Sequence, residues 1–503
     1  MQGMRGRTDR IVIIGAGLGG LACAIHLAAA GRQVVVLEST GRPGGLAGRL
    51  SIGGFEFDTG PSAITAPEIL AETFAAVGEN LADWLDLVPL DPTVRAHFPD
   101  GSTLDVIPDR DRMADEVRRV CGGREARAYL NYAAYAENVW GTLRRRLRDR
   151  SPSSPAELLR PALLGEALRL AAGGVRHGLE HRIGQFFTDP RCRRLFAVQS
   201  LLAGVAPHQA PALFTALPFL DPCGKVFFPR GGVHAMPAAL AGAAQKHGVT
   251  IRYDTAAARL ETHAGRARAV HTVEGERIPA DVVVLPPVLA ESDGELRPAA
   301  PAGGSGRASS SCVLVHLGSR QRYGRIAHHN LHFGRGWREP LADVARHRRP
   351  MRDPVLLVAN PTRTDPELAP RDREIYQIMV PAPSEADAAA AARWRTGLAQ
   401  RYAGELIATL EARGYLDLGQ HIDLAHVVTP ADWASPGHRP LRRTSTGGRG
   451  PDGHPSGGRR GSGPRVEASN IVFVGSGTRP GVGVPMVLMS GRHAAARITG
   501  ARP

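Results

Sequence analysis

The sequence predicts an α/β fold in which a parallel sheet forms one domain and a second, mixed domain is inserted between the segments of the first. Near the amino terminus, a β-branched run at residues 11–14 leads directly into a glycine-rich turn, a helix of small residues and another β-branched run. Near the carboxyl terminus, residues 471–474 again place an apolar run before a glycine-rich turn and a helix. Because continuous apolar strands followed by helices are typical of buried parallel sheets, both ends of the chain are expected to contribute to one domain.

The amino-terminal turn has the glycine spacing of a dinucleotide-binding site. Gly15, Gly17 and Gly20 form the pattern G-x-G-x-x-G between the first strand and a helix predicted at residues 21–30. Gly15 permits the tight turn, Gly17 lets the backbone approach a pyrophosphate, and Gly20 lets the helix pack closely against the strand. Glu38 ends the second strand, where its carboxylate is placed to accept hydrogen bonds from ribose hydroxyls. The whole unit predicts a Rossmann-type domain.

The residues after the second strand separate FAD from NAD as the cofactor. A glycine pair, Gly44 and Gly45, is followed by the basic Arg49 and then by Gly60 and Pro61. This extension resembles the one in flavoproteins of the amine-oxidase superfamily, and NAD dehydrogenases have no such extension. The resemblance implies that FAD is the cofactor, that the glycine pair lets the backbone approach phosphate again, and that Arg49 neutralises the phosphate. Gly60 and Pro61 are assigned to the same cofactor site.

The carboxy-terminal turn supplies the second half of the predicted site. Gly475 begins the turn, and Gly483, Val484 and Pro485 lead into a helix predicted at residues 486–498. A glycine-rich turn at a helix N-terminus offers free backbone N–H groups and the positive end of the helix dipole. In flavoproteins such a helix points at the isoalloxazine and ribityl end of FAD, where the dipole stabilises negative charge on the reduced ring.

Three further passages narrow the resemblance to one group of flavoproteins. They are residues 210–213 leading to the passage at 228–237, residues 327–333, and the turn at 475–485. With these passages the sequence resembles bacterial phytoene desaturases, the carotenoid desaturase group of the amine-oxidase superfamily, over most of residues 10–433 and 466–503. The resemblance implies FAD-dependent dehydrogenation of phytoene or a related long isoprenoid hydrocarbon in carotenoid biosynthesis, at a membrane surface.

The FAD-binding domain is predicted to be discontinuous in sequence. Its segments are residues 8–75, 225–290 and 466–503, and a mixed α+β substrate-binding domain with a helical cap takes up residues 76–224 and 291–433. Within the cap, residues 158–172 form a candidate amphipathic helix. In this family such a helix is expected to cover the opening for the substrate, either resting on lipid or packing as a plain cap.

One stretch departs from the family pattern. Residues 434–465 consist almost entirely of Gly, Arg, Pro, Ser, Thr and His, with Leu441 as the one large apolar residue and seven arginines against one aspartate. Such a composition does not bury a core, so it predicts disorder. The family has an ordered, aromatic-containing segment at this place, and the sequence matches the family on both sides. We interpret the stretch as a pair of compensating frameshifts in GC-rich DNA, with a genuine flexible loop as the alternative.

The large positive net charge does not by itself indicate a nucleic-acid partner. A formal net charge of +14 would fit a nucleic acid or an anionic membrane. Arginine carries nearly all of it, since Lys225 and Lys246 are the two lysines of the chain, and the arginines are scattered apart from a cluster at residues 144–150. We attribute the charge to GC-rich codon usage and predict no nucleic-acid partner, with a membrane-surface role as the alternative.

Cysteine usage and the amino terminus bear on the location of the protein. The five cysteines include no C-x-x-C pair, which argues against a metal site and fits a reducing compartment. The first ten residues contain no apolar core of a signal peptide. These features predict a cytoplasmic protein, and the family resemblance adds a peripheral position on the inner face of the cell membrane.

Dehydrogenation of a C–C unit beside a double bond requires a hydride acceptor and a route for a proton. The flavin accepts the hydride, and an apolar tunnel must hold the hydrocarbon because it offers no polar group. No spacing in the sequence demands a catalytic triad or a metal, so no catalytic residue and no metal ligand is assigned. His328 and His329 are interpreted as packed or hydrogen-bonded structural residues, at most one of which faces the cavity because neighbours on a strand point to opposite faces. A quinone or oxygen is expected to reoxidise the flavin.

Three alternatives remain open at this point. The first is a related FAD-dependent carotenoid oxidase or isomerase. The second is a non-enzymatic prenyl-protein carrier of the same fold. The third is an inactive product, if residues 434–465 are translated as written. The intact set of Gly15, Gly17, Gly20 and Glu38 argues against the carrier, which has no need of flavin.

Overall fold

The computed structural model describes most of the chain. The described residues are 4, 6–149, 178–202, 205–216, 225–287, 289–292, 295–298, 311–345, 347–383, 393–434, 468–478 and 480–501. The candidate helix at 158–172 lies outside the described residues, and so does the unusual stretch at 434–465 beyond its first residue.

Both strands and helices occur throughout the described chain. In chain order the strands are β1 (Arg10–Ile14), β2 (Gln33–Leu37), β3 (Arg49–Ile52), β4 (Phe55–Asp58), β5 (Ile64–Thr65), β6 (Leu87–Pro89), β7 (Val94–His97), β8 (Thr103–Val106), β9 (Val226–Pro229), β10 (Thr250–Arg252), β11 (Ala257–His263), β12 (Arg266–Thr272), β13 (Arg277–Pro279), β14 (Val282–Leu285), β15 (Leu289–Ser292), β16 (Glu295–Pro298), β17 (Ser311–Ser319), β18 (His329–His332), β19 (Leu356–Ala359), β20 (Glu374–Ala382), β21 (Ile422–Val428) and β22 (Ile471–Phe473). The α-helices are α1 (Leu18–Ala29), α2 (Pro67–Ala75), α3 (Arg110–Cys121), α4 (Gly123–Asp149), α5 (Leu179–Phe186), α6 (Pro190–Ala197), α7 (Gln199–Leu202), α8 (Ala235–Lys246), α9 (Arg338–Ala345), α10 (Ala399–Ala412), α11 (Pro430–Ala434) and α12 (Val484–Thr499).

A five-stranded parallel sheet joins segments from the beginning, middle and end of the chain. Its strands lie in the order β10-β2-β1-β14-β22, and every neighbouring pair is parallel. β14 is apolar and fully buried, as expected for a parallel sheet that is covered on both faces. The predicted Rossmann-type α/β architecture is confirmed.

Helices cover one face of this sheet and an antiparallel sheet covers the other. α1, α8 and α12 contribute to the core on the first face, where Leu21 and Val284 are fully buried. On the second face Val12 belongs to a core with Leu260 and Val270 of the sheet β13-β12-β11-β16-β15. β16 pairs with β11, so this sheet continues beyond residue 290, where the sequence places a domain boundary.

A seven-stranded mixed sheet forms the centre of the second unit. Its strands lie in the order β21-β17-β20-β19-β18-β7-β8, in which β18 and β7 are parallel and the other neighbours are antiparallel. At the β7–β8 end, α3 to α6 bury an aromatic cluster that includes Tyr132, Phe187 and Phe196. At the other end, α10 packs over β17 and β20.

The two units meet at the hairpin of β3 and β4. Phe55 packs against Gly318 of β17 so closely that a Cβ atom there would lie 2.5 Å from the ring. The side-chain amide of Gln377 in β20 donates a hydrogen bond to the main-chain carbonyl of Asp58 at 3.0 Å. The hairpin that follows the predicted phosphate-binding glycines therefore connects the nucleotide unit to the large sheet.

Predicted and observed helices differ mainly at their first residues. The helix predicted at 21–30 begins at Leu18, since Gly17 is its N-cap, and the helix predicted at 486–498 begins at Val484 after the N-cap Gly483. Both helices therefore start directly at their glycine-rich turns. In the part of the chain that the structure describes, no helix has the length and apolar character needed to cross a membrane.

Candidate functional site

The turn after β1 brings main-chain groups to the amino end of α1. Gly15 has a φ of +95°, which glycine adopts without the strain that a side chain would cause, and its N–H donates to the Leu37 carbonyl at 2.8 Å. Gly17 is the extended N-cap of α1. The N–H groups of the first helical turn therefore have no helical acceptors, and the positive end of the helix dipole lies beside them.

Glycines of this one turn have opposite surroundings. A Cβ atom at Gly20 would lie 2.3 Å from the Gly15 carbonyl oxygen, so this position accepts no side chain. A Cβ atom at Gly15 or Gly17 would meet no atom within 4 Å beyond the adjoining residues. Gly20 thus holds the helix against the strand, whereas Gly15 and Gly17 border the space in front of the helix.

Glu38 lies at the end of β2 beside the same turn. Its side chain is buried, and Oε2 accepts a hydrogen bond from the Ala16 N–H at 2.7 Å. Oε1 accepts hydrogen bonds from the N–H and the hydroxyl of Thr40 at 3.0 and 2.9 Å. These bonds fix the carboxylate, and its further lone pairs suit the hydroxyls of a ribose.

The glycine pair Gly44 and Gly45 packs directly against the turn after β1. The Gly44 N–H donates to the Ala16 carbonyl at 3.0 Å. A Cβ atom at Gly45 would lie 3.3 Å from the Cα atom of Gly17, and both members of the pair have positive φ. A side chain at either position would strain the backbone, so the pair keeps a close approach of two main-chain segments where the pyrophosphate is predicted.

Arg49 opens β3 and its guanidinium group is already paired. Nη2 donates to Glu56 Oε1 at 2.7 Å, and Nε donates to Ser51 Oγ at 2.9 Å. The side chain is 42% exposed. The guanidinium would have to share or leave Glu56 in order to contact a phosphate, so its predicted role stays a prediction.

Gly60 and Pro61 follow the hairpin. A Cβ atom at Gly60 would lie 2.0 Å from the Leu46 carbonyl oxygen, so a side chain there would displace the loop that follows the glycine pair. Gly60 itself is exposed, and Pro61 and Ser62 are half-buried. The segment thus closes over the residues after Gly45 with its other side accessible.

Asp58 and His234 form a junction that the sequence did not reveal. Oδ2 of the buried Asp58 accepts a hydrogen bond from the Val233 N–H at 2.9 Å. Oδ1 accepts from the His234 N–H at 2.9 Å and lies 2.9 Å from His234 Nδ1. The carboxylate therefore ties the turn before α8 to the hairpin next to Gly60. In the sequence, Gly60, Pro61 and the passage at 228–237 are distinctive, but nothing in them indicates this contact.

The carboxy-terminal turn touches the amino-terminal one. Gly475 has a φ of +106°, and its N–H donates to Ser490 Oγ at 2.9 Å. A Cβ atom at Gly19 would lie 3.0 Å from Gly475, and one at Gly491 would lie 2.6 Å from the Gly19 carbonyl oxygen. Small residues therefore bring α1, α12 and both turns into direct contact.

Open space lies in front of the N-terminus of α12, as it does in front of that of α1. Gly483 is its N-cap with a φ of +98°, and Val484 and Pro485 are its first residues. Cβ atoms at Gly475, Gly481 and Gly483 would meet no atom within 4 Å beyond the adjoining residues. Backbone N–H groups and a helix dipole are thus presented a second time.

The residues present fit FAD. Glycine backbone lies in front of two helix N-termini at the carboxyl ends of the parallel strands, which is where open α/β sheets bind their ligands. The N–H groups and the helix dipole at α1 suit a diphosphate, and Glu38 beside them suits a ribose. The open glycine positions before α12 leave room for a flat ring against the backbone.

His328 and His329 are both buried and both make hydrogen-bond contacts. His328 Nδ1 lies 2.7 Å from Thr364 Oγ1, and His329 Nε2 lies 3.0 Å from Ser62 Oγ. The ring centroids are 4.5 Å apart, so the expectation that the two rings point to opposite faces is wrong. His328 precedes β18, and the alternation of a strand does not apply to it. Burial lowers the pKa of His329 to about 4 and holds that of His328 well below its usual range.

Comparisons with known proteins agree with this geometry. The family described as flavin containing amine oxidoreductase matches residues 18–310. A relative from Streptomyces griseus, named phytoene dehydrogenase, is 41% identical over 99% of this chain and 97% of its own length. The chain belongs to the flavin containing amine oxidoreductases. Within them it falls in the carotenoid desaturase group, since a zeta-carotene-forming phytoene desaturase from Myxococcus xanthus is also 34% identical over 97% of this chain and 93% of its own.

A solved structure supports the fold of this flavoprotein. An oxidoreductase from Methanosarcina mazei superposes with a TM-score of 0.57 at 16% identity, over 96% of this chain and 99% of that one. The likeness at this identity shows the fold alone. The predictions of the family, of FAD as cofactor and of an FAD-dependent oxidoreductase are confirmed. The roles of individual cofactor-binding residues stay predictions.

Proposed function

We propose that this flavoprotein dehydrogenates phytoene or a related long isoprenoid hydrocarbon as a step of carotenoid biosynthesis. The observation that carries the proposal is the near full-length similarity to the phytoene dehydrogenase of Streptomyces griseus. The similarity spans both the nucleotide unit and the large sheet, so the proposal does not depend on the cofactor site alone.

In this proposal the backbone of the two turns holds the cofactor. Gly15, Gly17 and Glu38 bind the adenosine diphosphate end, and the closed position of Gly20 keeps the α1 N-terminus aimed at the phosphates. Gly44, Gly45 and Arg49 line the same phosphates. Gly60, Pro61, Gly475, Gly483, Val484 and Pro485 lie at the flavin end. FAD, when bound, supplies the hydride acceptor.

The substrate side has to work without polar recognition. A long hydrocarbon gains about 25 cal/mol for each Å² that it buries, so a tunnel of apolar side chains binds it and excludes water. We place that tunnel between the segment around Gly60 and the seven-stranded sheet. The two are in contact where Gln377 and His329 of the sheet meet this segment. The protein orients one allylic C–C unit towards the flavin there.

Two finer parts of the proposal concern the surroundings. The substrate is insoluble in water, so we place the protein peripherally on the inner face of the cytoplasmic membrane, held by apolar contact. A membrane quinone or oxygen then reoxidises the flavin. Salt alone should release the protein from membranes only partly, because salt screens charge and does not weaken apolar contact.

The test is expression of the chain in a host that accumulates phytoene, followed by pigment analysis and purification. Carotenoids with additional conjugated double bonds, together with a flavin absorption band in the purified protein, are the expected result. Oxygenated or isomerised products would instead identify a related carotenoid oxidase or isomerase. A protein that folds without flavin and changes no pigment would favour the prenyl carrier.

A separate control addresses residues 434–465. If frameshifts explain this stretch, the same DNA read in another frame encodes an aromatic-containing segment, and the frame-restored protein gains activity over the chain as written. Resequencing that shows an intact frame, with full activity of the chain as written, would leave the stretch as a tolerated loop.

A further inference from the structure

A serine and a histidine from the two units form a hydrogen-bonded pair beside the predicted flavin loop. Ser62 directly follows Pro61 and is half-buried, whereas His329 begins β18 of the seven-stranded sheet and is fully buried. The Nε2 atom of His329 and the Oγ atom of Ser62 are 3.0 Å apart. The imidazole of His329 thus contacts the Ser62 hydroxyl at the boundary between the nucleotide unit and the seven-stranded sheet.

The tautomer with the proton on Nδ1 makes His329 an acceptor towards Ser62. Nδ1 lies 3.3 Å from the Thr93 carbonyl oxygen, which only accepts, so in this tautomer Nδ1 donates to it. Nε2 then accepts the hydrogen bond of the Ser62 hydroxyl. The main-chain carbonyl of Ser62 also faces the ring. A ring that gains a proton at Nε2 therefore finds an oxygen acceptor for each N–H.

We propose that Ser62 and His329 accept the proton released in the dehydrogenation, with Ser62 touching the substrate and His329 acting as a positioning residue through it. This inference rests on the proposed function. The substrate must lose a hydride from one carbon and a proton from its neighbour, and the flavin accounts for the hydride alone. Ser62 directly follows Pro61, which is assigned to the flavin end, and its partner His329 belongs to the sheet on the substrate side.

Atoms and electrons balance in this step. Departure of the hydride removes two electrons and leaves a positive charge on the allylic carbon. The adjacent C–H bond then breaks, and its electron pair becomes the second bond of the new alkene. Its proton goes to Ser62 Oγ while the proton of Ser62 moves to His329 Nε2. After the product leaves, the same path returns the proton to water, and the quinone or oxygen removes the two electrons.

A weak base is sufficient for this transfer. Burial lowers the pKa of His329 to about 4, so the ring is neutral and able to accept at neutral pH. A C–H bond next to a carbocation is far more acidic than an ordinary C–H bond, so its proton passes readily even to such a ring. The low pKa also keeps the His329 ring unprotonated between turnovers.

The neighbouring His328 provides a matched control. Its ring centroid is 4.5 Å from that of His329 and its side chain is also buried, but its Nδ1 contacts Thr364. If these histidines only fill space, the same substitution at either position should have the same consequence. If the pair moves a proton, the substitution at His329 should slow the chemical step, and the same substitution at His328 should not.

The experiment compares the FAD-loaded wild-type protein with Ser62→Ala, Ser62→Thr, His329→Gln and His328→Gln in phospholipid vesicles containing phytoene. Flavin content, kcat and KM are measured for each. We expect Ser62→Ala and His329→Gln to keep flavin and KM and to lose about 100-fold or more in kcat, the usual size of a general-base contribution. Ser62→Thr keeps the hydroxyl and should restore most of the rate, and His328→Gln should remain close to wild type.

A second measurement does not depend on turnover. Deuterium exchange at the imidazole C2 position, followed peptide by peptide with mass spectrometry across pH, reports the ionisation of each histidine in the substrate-free protein. Ser62→Ala is expected to shift the midpoint for His329 and to leave that of His328 in place. An unchanged His329 midpoint would contradict the hydrogen bond on which the pair depends.

The possible failures are distinguishable. A Ser62→Ala protein with full flavin and wild-type kcat overturns the pair and leaves the proposed function intact, and so does an equal loss of kcat in His328→Gln and His329→Gln. A wild-type protein that holds FAD but converts no isoprenoid overturns the proposed function, and the role of the pair falls with it.

Discussion

The nucleotide unit and the substrate unit build their sides of the site from different parts of the polypeptide. On the nucleotide side the surface of the site is backbone, because Gly17 and Gly483 leave open space in front of the N-termini of α1 and α12. On the substrate side the contacts come from buried side chains of a sheet, among them Gln377 and His329. Backbone N–H groups are the same in every residue, so the first surface depends on where glycines occur along the chain. The second depends on which strands become neighbours.

The largest effect should separate two glycines of one turn. Gly17→Val fills accessible space where the pyrophosphate is predicted, so the variant should fold normally and retain no FAD. Gly20→Ala places Cβ 2.3 Å from a carbonyl oxygen, and it should destabilise the apoprotein by about 3 kcal/mol or more. Flavin content after purification and urea unfolding of the apoproteins measure both. Full flavin in Gly17→Val would show that the cofactor site is assigned wrongly.

Acid should lower the free energy of unfolding mainly because buried histidines of both units stay neutral in the folded protein. Burial lowers the pKa of His26 and His329 to about 4 and that of His316 to about 3. The unfolded chain, with histidine pKa values near 6.5, binds more protons below that pH, so stability is complete above about pH 6.5 and falls as the pH drops towards 4. Each buried histidine should remove up to about 2 kcal/mol between pH 7 and pH 5.

Urea unfolding at pH 7 and pH 5 checks this expectation. His329→Gln should reduce the difference between the two pH values, whereas the same change at the exposed His263 should leave it unaltered. An identical pH dependence in wild type and His329→Gln would mean that the imidazole is not held neutral by burial.

An intermediate effect is expected where the two kinds of surface meet. The carboxylate of Asp58 accepts hydrogen bonds from two N–H groups before α8, and Asp58→Asn turns one acceptor oxygen into a donor. Loss of such a charge-assisted bond should cost about 2 kcal/mol in the free energy of unfolding. Thermal unfolding of the apoprotein measures it, and His234→Gln, which keeps the main-chain bonds, serves as the milder control. Equal stability of Asp58→Asn and wild type would show that the bonds of the Asp58 carboxylate do not stabilise the fold.

The smallest effect concerns Arg49. The side chain is partly exposed and paired with Glu56, so Arg49→Ala should weaken FAD binding by about 1 kcal/mol or less, a factor of about five in Kd. Glu56→Gln frees the guanidinium and should leave FAD binding equal or tighter. Titration of the apoproteins with FAD gives both values. A stronger loss in Glu56→Gln than in Arg49→Ala would show that the pair stabilises the hairpin rather than the phosphate.

The same contrast explains what the sequence could predict. The strands and helices beside Gly15 and Gly475 follow from local order, since a β-branched run, a glycine turn and a helix have one common arrangement. The bonds of Asp58 to the α8 turn and of Ser62 to His329 join residues that are distant in sequence, and no local pattern indicates them. The predicted boundary at residue 290 falls within β15 for the same reason, because the pairing of β16 with the distant β11 is known only from the sheet.

If FAD in this protein takes a hydride from an isoprenoid hydrocarbon, the substrate alone must reduce the flavin in the absence of oxygen. Phytoene in phospholipid vesicles is added to the purified flavoprotein while flavin absorption and carotenoid products are followed together. We expect that the flavin band bleaches, that one new double bond forms for each flavin reduced, and that a quinone or oxygen restores the band. A protein that holds FAD in full yet shows neither bleaching nor product with phytoene or with its partly desaturated derivatives would rule out hydride transfer from these hydrocarbons.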